Sequence, residues 1–565
     1  MTAEQSAWYD LPSSGSAHIL HGSQRYEVLG AVMVVMFFSS MAQTVVSTAL
    51  PNIISDLHGL PLYAWVFTAF ILASAIVIPV YGKLSDVFGR KPLYVVAIAL
   101  YIVGNTIAGF AQSMEVLVAA RAIAGMGAGG LQALSQITIG DIFTPQERGK
   151  WIGVIMSVFG LASIIGPTLG GWLTDQFSWR WVFWINIPFA VIPLVALLYA
   201  LPSIRVPGKV KIDYAGMVLL VIGLLPLLLA ITWLGESMPW TSPRVLAAFS
   251  VGVLGLVLFV WQELHTSEPI IAPAFFKNSI FITSMAATFC VALGMYGSIM
   301  FVPLFVQGVV GTSAQDSGVV LAPMMVGFVV GSTVSGQLVS RTGRYRLLAL
   351  GGLAIACVGL FLFGLLTVHS SNLDVVRNMV ILGVGIGSTM PLFTIAVQNA
   401  FPHNVLGQVT STRQFFLSLG GAVGVPIMGA LLNSGFRSNF QAHLSSPLRT
   451  FMTKQHLSNI DPNTLISAEA QTAIRSQFAH VGSRGVNLYG QFIFAVRDGL
   501  ALTMQPLFRL ALAFMAVGFV VTLFLKEVPL RKHMLTPATA TTSEEADVVG
   551  APQPFSLRGS EEESA

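Results

Sequence analysis

The chain of 565 residues carries 10% charged residues, whereas an ordinary soluble domain carries about 25%. Its 54% hydrophobic content and mean hydropathy of +0.75 predict a protein embedded in lipid. A net charge of +4 does not indicate nucleic-acid binding. The two cysteines, Cys290 and Cys357, lie in apolar segments, so the sequence predicts neither a disulfide framework nor a metal site.

Fourteen apolar stretches follow a polar N-terminal tail, residues 1–27, which lacks the apolar core of a signal peptide. Each stretch has about 20 residues, the length of a helix that crosses a bilayer. We therefore expect an all-α integral membrane protein. The predicted spans are 28–50, 62–82, 93–111, 116–138, 152–173, 181–200, 215–234, 244–262, 280–307, 317–337, 347–367, 376–398, 410–433 and 504–525.

Basic residues are concentrated in the loops on one side of these spans. The opposite loops carry scattered basic residues such as Arg180 and Arg244. By the positive-inside rule, the basic loops and both termini face the cytoplasm, which agrees with an even number of spans. The basic loops contain Lys83, Arg90, Lys91, Arg148, Lys150, Arg205, Lys209, Lys211, Lys277, Arg341, Arg344, Arg346, Arg531 and Lys532.

Two polar regions are predicted to lie outside the membrane. Residues 434–495 separate spans 13 and 14 and are expected to form an extracytoplasmic segment with one or two short amphipathic helices. Residues 532–565 follow the last span and are rich in Ser, Thr, Pro, Ala and Glu, so we expect a disordered cytoplasmic tail.

A short motif occurs twice. "GKLSDVFGRK", Gly82 to Lys91, ends span 2, and "GQLVSRTGRYR", Gly336 to Arg346, ends span 10. Both have a glycine, a second glycine seven residues later, and then arginine, and the copies lie 254 residues apart. This offset predicts duplicated halves. We expect six-helix bundles over 28–200 and 266–531, joined by two linker spans within 201–265.

Several motifs resemble those of the major facilitator superfamily over about residues 30–530. "GKLSDVFGRK" is similar to the family's loop 2–3 motif, and Arg121-x-x-x-Gly125-x-Gly127 to its span 4 motif. "GVIMSVFGLASIIGPTLGG", from Gly153, resembles the span 5 motif of its antiporters. "WRWVFWINIP" and "QTVVSTALP" resemble the drug:proton antiporters with fourteen spans. The resemblance implies the major facilitator fold, with two six-helix bundles plus two linking helices, and transport by alternating access.

The repeated motif is a candidate conformational gate. A carboxylate such as Asp86 is well suited to bind the N-terminus of a helix. The resemblance implies that this helix is span 13 and that Asp141 and Arg90 join the cluster, so that the charges hold the two halves together. The alternative is a basic turn that only sets topology. The gate candidates are Gly82, Asp86, Gly89, Arg90, Asp141, Gly336, Gly343 and Arg344.

The glycine-rich span 5 is a candidate interface between helices. Small residues let helices approach closely in a membrane, and Pro167 is expected to bend the span. Ala162 stands where the family pattern has glycine. The resemblance implies antiport, whereas the residues alone are also compatible with ordinary helix packing. The residues of this motif are Gly153, Gly166, Pro167, Gly170 and Gly171.

Proton coupling is the point at which the chain departs from the family pattern. Arg121 lies inside span 4, where a cation should face the interior or a wet cavity, and the resemblance assigns it to coupling. A structural arginine that binds carbonyl groups is the alternative. Ala42 stands where the family usually has aspartate. Three explanations are open: a substitution that traps one state, coupling through other groups such as Asp141 with Arg121, or transport without protons.

A pocket for varied compounds needs apolar, aromatic and flexible side chains with a few polar groups. Each aromatic or methionine candidate can instead face lipid or pack between helices. We expect no strongly charged substrate. The candidate cavity residues are Met41, Gln43, Thr44, Trp65, Phe67, Gln132, Gln136, Met295, Tyr296, Gln307, Met390, Phe393, Gln398, Phe415 and Phe416.

These features predict a secondary active exporter, coupled to protons by antiport, of lipophilic or cationic drug-like compounds in the cytoplasmic membrane, with protons and membrane lipid as partners and no cofactor. The alternatives are an exporter of lipids or endogenous metabolites, and a membrane sensor or scaffold that does not transport. The chain lacks the G-x-x-x-x-G-K-[ST] nucleotide motif, which disfavours an ATP-driven pump. No enzymatic activity is expected, and the resemblance implies a monomer.

Overall fold

The computed structural model describes residues 24–57, 62, 65–201, 212–235, 238–310, 322–442, 444–454, 475–476, 478 and 483–530, and these are helical apart from short connections. The α-helices are Gln24–Thr44, Val46–Leu57, Trp65–Phe88, Arg90–Gly109, Met114–Ile142, Pro145–Gln176, Trp181–Trp184, Asn186–Ala200, Tyr214–Gly235, Pro243–His265, Ser279–Phe305, Ala322–Thr342, Tyr345–Phe363, Asn372–Ala400, Leu406–Ala442, Ser446–Lys454 and Ser483–Leu523. Short 3₁₀ segments cover Pro273–Lys277 and His403–Val405, and a π-helical segment covers Val306–Val310.

Fourteen of these helical segments are long and apolar enough to cross a membrane, which confirms the predicted number. We number them as spans 1–14 in chain order. Spans 4 and 5 are longer than predicted because their polar ends continue the helices. Span 5 begins at a capping box, in which Thr144 Oγ1 accepts from the N–H of Glu147 and the Glu147 carboxylate accepts from the N–H of Thr144.

The helices that flank the polar segment predicted over 434–495 extend into it from both ends. The helix of span 13 continues to Ala442, and that of span 14 starts at Ser483. Polar residues are compatible with these extensions because a helix satisfies its own backbone groups beyond the bilayer. One short helix, Ser446–Lys454, lies between them. Residues 455–474 and the tail 532–565 lie outside the described residues.

The spans form two bundles and a linker hairpin. Spans 1–6 pack against one another, as do spans 9–14, and spans 7 and 8 form an antiparallel pair that contacts spans 2 and 13. The two bundles meet mainly where span 5 packs on span 10 and where span 2 packs on span 13. This architecture agrees with the duplicated halves that the repeated motif predicted and with the major facilitator fold that the resemblance implied, with two linking helices between the halves.

The two copies of the motif have the same backbone geometry. Gly89 separates spans 2 and 3 with φ of 83°, and Gly343 separates spans 10 and 11 with φ of 71°. Residues with a side chain rarely adopt such values, so the sharp turns explain why glycine stands at both positions. Both turns lie at the same end of the bundle, which we call the junction end. Arg90, beside the first turn, pairs with Asp141 at the end of span 4. Ser340, beside the second turn, contacts Lys150 near the start of span 5, which follows span 4 directly.

Candidate functional site

At the first junction, Asp86 binds the N-terminus of span 13. Its two carboxylate oxygens accept the backbone N–H groups of Gly407, at 3.1 Å, and Gln408, at 2.9 Å. These N–H groups have no partner within their own helix, and the helix dipole favours a negative charge beside them. Glycine is required at 407 because a Cβ there would collide with the carboxyl group of Asp86. Asp86 therefore joins the first half of the chain to the second.

Arg90 lies between two carboxylates at this junction. Its Nη1 lies 2.7 Å from Asp86 Oδ1, and its Nε lies 2.7 Å from Asp141 Oδ2 at the end of span 4. His403 approaches the same site from the second half, with Nε2 3.2 Å from Asp141 Oδ1. We call Asp86, Arg90, Asp141, His403 and the N-terminus of span 13 the latch. Sequence reasoning missed His403, which lies in the short segment before span 13.

The second junction uses no charge where the first has its carboxylate. Ser340 occupies the position 254 residues after Asp86, and its Oγ accepts the N–H of Lys150, near the start of span 5, at 2.9 Å. The side chain of Arg344 is exposed, and no carboxylate in the described part of the chain lies within ion-pair distance. Within the described residues, therefore, the predicted charged gate does not extend to Arg344, because no acid there pairs with it.

Glycines bring the two halves into backbone contact between spans 5 and 10. A Cβ on Gly153 would lie 2.5 Å from the carbonyl oxygen of Ser332, and one on Gly336 would lie 3.1 Å from the Cα of Gly153. Gly82 is packed in the same way at the first junction, where a Cβ on Gly82 would lie 2.8 Å from the carbonyl oxygen of Gly407. Such contacts leave no room for side chains, as is typical of packing between membrane helices.

The remaining span 5 residues contact the first half. Gly166 and Gly170 pack against Thr44 and Val45 at the end of span 1. Pro167 is a half-buried proline inside the helix. Gly171 was expected to allow a close approach, but a Cβ there would meet nothing within 4 Å. The expectation fails for Gly171 because the helix turns this position away from its neighbours.

Arg121 is buried beside the position of the missing carboxylate. Its Nε donates to the carbonyl oxygen of Val66 at 3.2 Å, and its Nη2 donates to that of Ala42 at 3.4 Å. The guanidinium group lies 4.1 Å from the centre of the Phe70 ring, within range of a cation–π interaction. These contacts join spans 1, 2 and 4. The structure thus brings Arg121 next to the backbone of Ala42. Contacts with carbonyl groups are also what the alternative of a structural arginine predicts, so the assignment of Arg121 and Ala42 to proton coupling stays a prediction.

Asp141 is remote from this arginine. The two residues lie 20 positions apart on one continuous helix, which corresponds to about 30 Å at 1.5 Å per residue. Asp141 instead pairs with Arg90 in the latch. The hypothesis that Asp141 and Arg121 couple protons as a pair is therefore wrong, because the helix between them holds the two groups far apart.

A second buried arginine, Arg413, was missed. It lies in span 13 with an exposed fraction of 0%, and its Nη2 donates to the side-chain oxygens of Gln136, at 2.8 Å, and Gln414, at 2.9 Å. Gln398 extends this cluster by donating to the backbone oxygen of Gln136 at 3.2 Å and to Thr410 at 3.1 Å. Arg121 was selected because a cation inside a span should face the interior or a wet cavity. The same rule applies to Arg413, which lies three residues inside the predicted span 13.

The cavity candidates fall into three groups. Gln136 and Gln398 contribute to the contact between the halves, so in this conformation they do not line an open space. Gln43, Thr44, Trp65, Phe67, Tyr296 and Phe416 are half-buried, while Gln307 belongs to the π-helical segment and its side chain is not described. The fully buried candidates are Met41, Gln132, Met295, Met390, Phe393 and Phe415.

Twelve spans in two similarly built bundles, joined by a two-span hairpin and held together at one end by a charged cluster, are the architecture of a two-bundle membrane transport protein. A profile of the Major Facilitator Superfamily matches residues 32–425, and the chain belongs to that family. The family and the relatives described next are transporters.

Two relatives from Bacillus subtilis show the similarity within the family. The chain is 34% identical to the multidrug transporter protein MdtP over 510 residues, which cover 90% of this chain and 94% of MdtP. It is 33% identical to multidrug resistance protein 3 over 414 residues, which cover 73% and 80% of the two chains. Both relatives therefore carry the names of multidrug transport or resistance proteins.

Solved structures share the fold at low sequence identity. The human organic anion transporter MFSD10 superposes with a TM-score of 0.56 at 14% identity, covering 87% of this chain and 99% of that one. A bacterial homologue of the human lysosomal transporter Spinster, in an inward-facing conformation, gives 0.53 at 17% identity, covering 90% and 100%. These identities show the fold alone.

Proposed function

We propose that the protein is a secondary active exporter of small lipophilic or cationic compounds, driven by proton antiport and working by alternating access. The observation that carries the proposal is the latch, because it joins the two halves through a few charges at one end of the bundle. The names of the two relatives, a multidrug transporter and a multidrug resistance protein, support export. The few ionised groups inside the spans fit a lipophilic substrate better than a highly charged one.

The positive-inside pattern supports an orientation for this mechanism. It assigns the junction end and both termini to the cytoplasm. A multi-pass protein of this kind in the cell membrane exports compounds when its cytoplasmic end opens, loads, closes and then releases to the outside. The latch is the element that closes the cytoplasmic end. We expect the protein to act as a monomer, with membrane lipid around it and no cofactor.

Opening requires that Asp86 leave the N-terminus of span 13. Each hydrogen bond to a charged group contributes about 1.5–3 kcal/mol, so the two N–H contacts of Asp86 are strong enough to set the balance between states. They are also few enough for substrate or proton binding to overcome. The neutral contacts between spans 5 and 10 can persist as the halves rotate, because glycine backbones slide with little steric barrier.

The test is transport of a fluorescent lipophilic cation in proteoliposomes under an imposed pH gradient. It compares the unsubstituted protein with the Ala42→Asp variant. We expect the gradient to drive flux, and Ala42→Asp to increase it, because a carboxylate at 42 would lie beside the buried Arg121. Flux that is equal with and without the gradient would exclude proton coupling. Binding of the probe without flux in either protein would favour a sensor or an exporter of lipids.

A further inference from the structure

The linker hairpin carries two buried carboxylates at the junction end. Asp213 directly precedes span 7, and Glu263 lies in the last turn of span 8. Their exposed fractions are 8% and 4%. Sequence reasoning placed no weight on either residue, because each stands at the end of a predicted span. Burial makes them unusual, since an ionised carboxylate is rarely removed from water without a partner.

Each carboxylate has one oxygen that is satisfied. Asp213 Oδ1 accepts the N–H of Gly216 at 2.8 Å and the side-chain amide of Gln262 at 3.1 Å. Glu263 Oε2 accepts the N–H of Ile271 at 3.1 Å. These bonds hold both side chains in fixed positions and join span 7, span 8 and the segment that follows span 8.

The other two oxygens point to the same place without a partner. Asp213 Oδ2 and Glu263 Oε1 are buried, and neither has a hydrogen bond in the described part of the chain. They lie 2.7 Å and 3.1 Å, respectively, from the position that a Cβ on Gly216 would occupy. Both unpaired oxygens therefore converge on one small volume.

Among the described residues, no charged group around the pair is placed to neutralise it. Lys83 of span 2 faces Glu263, but its Nζ lies 2.6 Å from Glu268 Oε2. His265 is bonded through Nδ1 to the carbonyl oxygen of Trp261, and Tyr214 is exposed. The basic residues that precede span 7, Lys209 and Lys211, lie outside the described residues.

We propose that Asp213 and Glu263 together bind one proton, held as a hydrogen bond from the carboxyl group of one to the carboxylate of the other. Two ionised carboxylates whose free oxygens converge on one point in a buried site repel each other, and a single shared proton removes the repulsion while satisfying both free oxygens. The site takes a proton and no larger ligand, because no third acidic or histidine ligand for a metal joins it within the described residues.

The proton site is connected to the latch through the segment after span 8. Glu263 holds Ile271, and Glu268 of the same segment pairs with Lys83. The backbone oxygen of Pro269 accepts a hydrogen bond from the side-chain amide of Gln408 at 3.2 Å. The backbone N–H of the same Gln408 donates to Asp86 in the latch. With the proton bound, this segment stays docked against spans 2 and 13. Loss of the proton leaves two like charges at its base and loosens it.

The experiment measures the proton directly on the purified full chain in lipid nanodiscs. Infrared difference spectra are recorded between neutral and alkaline pH for the wild type, Glu263→Gln and Asp213→Asn. We expect the wild type to lose a C=O band of a protonated carboxyl group on alkalinisation, and both variants to lack that band. Asp175→Asn is the matched control, because it removes an exposed carboxylate and should keep the band.

Thermal unfolding against pH provides a second measurement. The native state holds a proton that the unfolded chain releases, since free carboxyl groups have pKa values of about 4. Wild-type stability should therefore fall as the site deprotonates, by up to about tenfold in the folding constant per pH unit. Both variants should lose this dependence. If one variant fails to fold, the other and the wild-type titration still decide the question.

Two results would overturn the proposal. The first is an identical carboxyl band and pH dependence in the wild type and both variants. The second is stabilisation of the wild type, but not of the variants, by sodium chloride relative to choline chloride, which would assign the site to a cation. Neither measurement uses transport, so failure here leaves the proposed export untouched, and failure of export leaves this site untouched.

Discussion

The two junctions share a backbone and differ in chemistry. Each has a glycine with positive φ, 254 residues apart, and each packs a glycine of the preceding span against the opposite half. At the first junction Asp86 and Arg90 build an ionic latch, whereas at the second Ser340 makes a neutral contact and Arg344 is exposed. Duplication has therefore preserved what the fold requires, while the charges are concentrated where one half must reversibly hold the other.

The strongest test of this difference removes the arginine of each junction. Arg90→Ala leaves Asp86 and Asp141 without their shared cation, and breaking such a buried pair costs about 3–5 kcal/mol. We expect a lower melting temperature and loss of gradient-driven transport in proteoliposomes. Arg344→Ala is the matched control and should change stability by less than about 0.5 kcal/mol. Equal effects of the two substitutions would show that the junctions do not differ.

The second test removes the contact to the opposite half. Asp86→Asn keeps an oxygen for the N–H of Gly407 or Gln408 but loses the charge, so we expect the closed state to weaken by about 1.5–3 kcal/mol. That corresponds to more than a tenfold shift toward the open junction end, read as faster labelling of a cysteine introduced there. Ser340→Ala at the other junction should shift labelling by less than tenfold, and a reversed order would contradict the latch.

A third test addresses the glycine contacts that both junctions share. Gly153→Ala places a Cβ 2.5 Å from the carbonyl oxygen of Ser332, and such overpacking costs about 1–3 kcal/mol. We expect lower thermal stability and slower transport. Gly171→Ala, on the same helix, meets nothing within 4 Å and should leave both unchanged. A loss of stability in Gly171→Ala as large as that in Gly153→Ala would contradict the packing.

The smallest effect comes from making the second junction resemble the first. Ser340→Asp places a carboxylate beside the N–H of Lys150, in the second turn of span 5. The helix N-terminus attracts an anion by about 0.3–1 kcal/mol in the first turn and by less beyond it, so we expect an effect at or below the lower end of this range. We expect a small rise in melting temperature and slower transport, because both junctions would then hold by charge. Ser340→Asn tests the hydrogen bond without the charge. A fall in melting temperature with aspartate would show that this helix end does not accept an anion.

Much of the site was predictable at the level of single motifs. The residues of the first latch could be selected from sequence because Asp86, Arg90 and the turning glycine lie within one short motif. His403 and the carboxylate pair of the linker hairpin could not, because each functions only through partners distant in sequence. Arg121 and Asp141 show the opposite problem. The sequence suggested that they act together because both lie on span 4, but the length of that helix holds them far apart.

Sequence alone determined the number of spans, the duplicated halves and the family, because lipid demands long apolar helices and sharp turns demand glycine at defined positions. Only the tertiary structure decided which charges meet. In the structure, Asp86 binds the N-terminus of span 13, and Arg121 binds the backbone of Ala42. Arg413 binds the side chain of Gln136, and the free oxygens of Asp213 and Glu263 converge on one point. The physical reason is that burial and charge pairing depend on contacts between helices, and hydropathy along one helix does not encode which neighbour it meets.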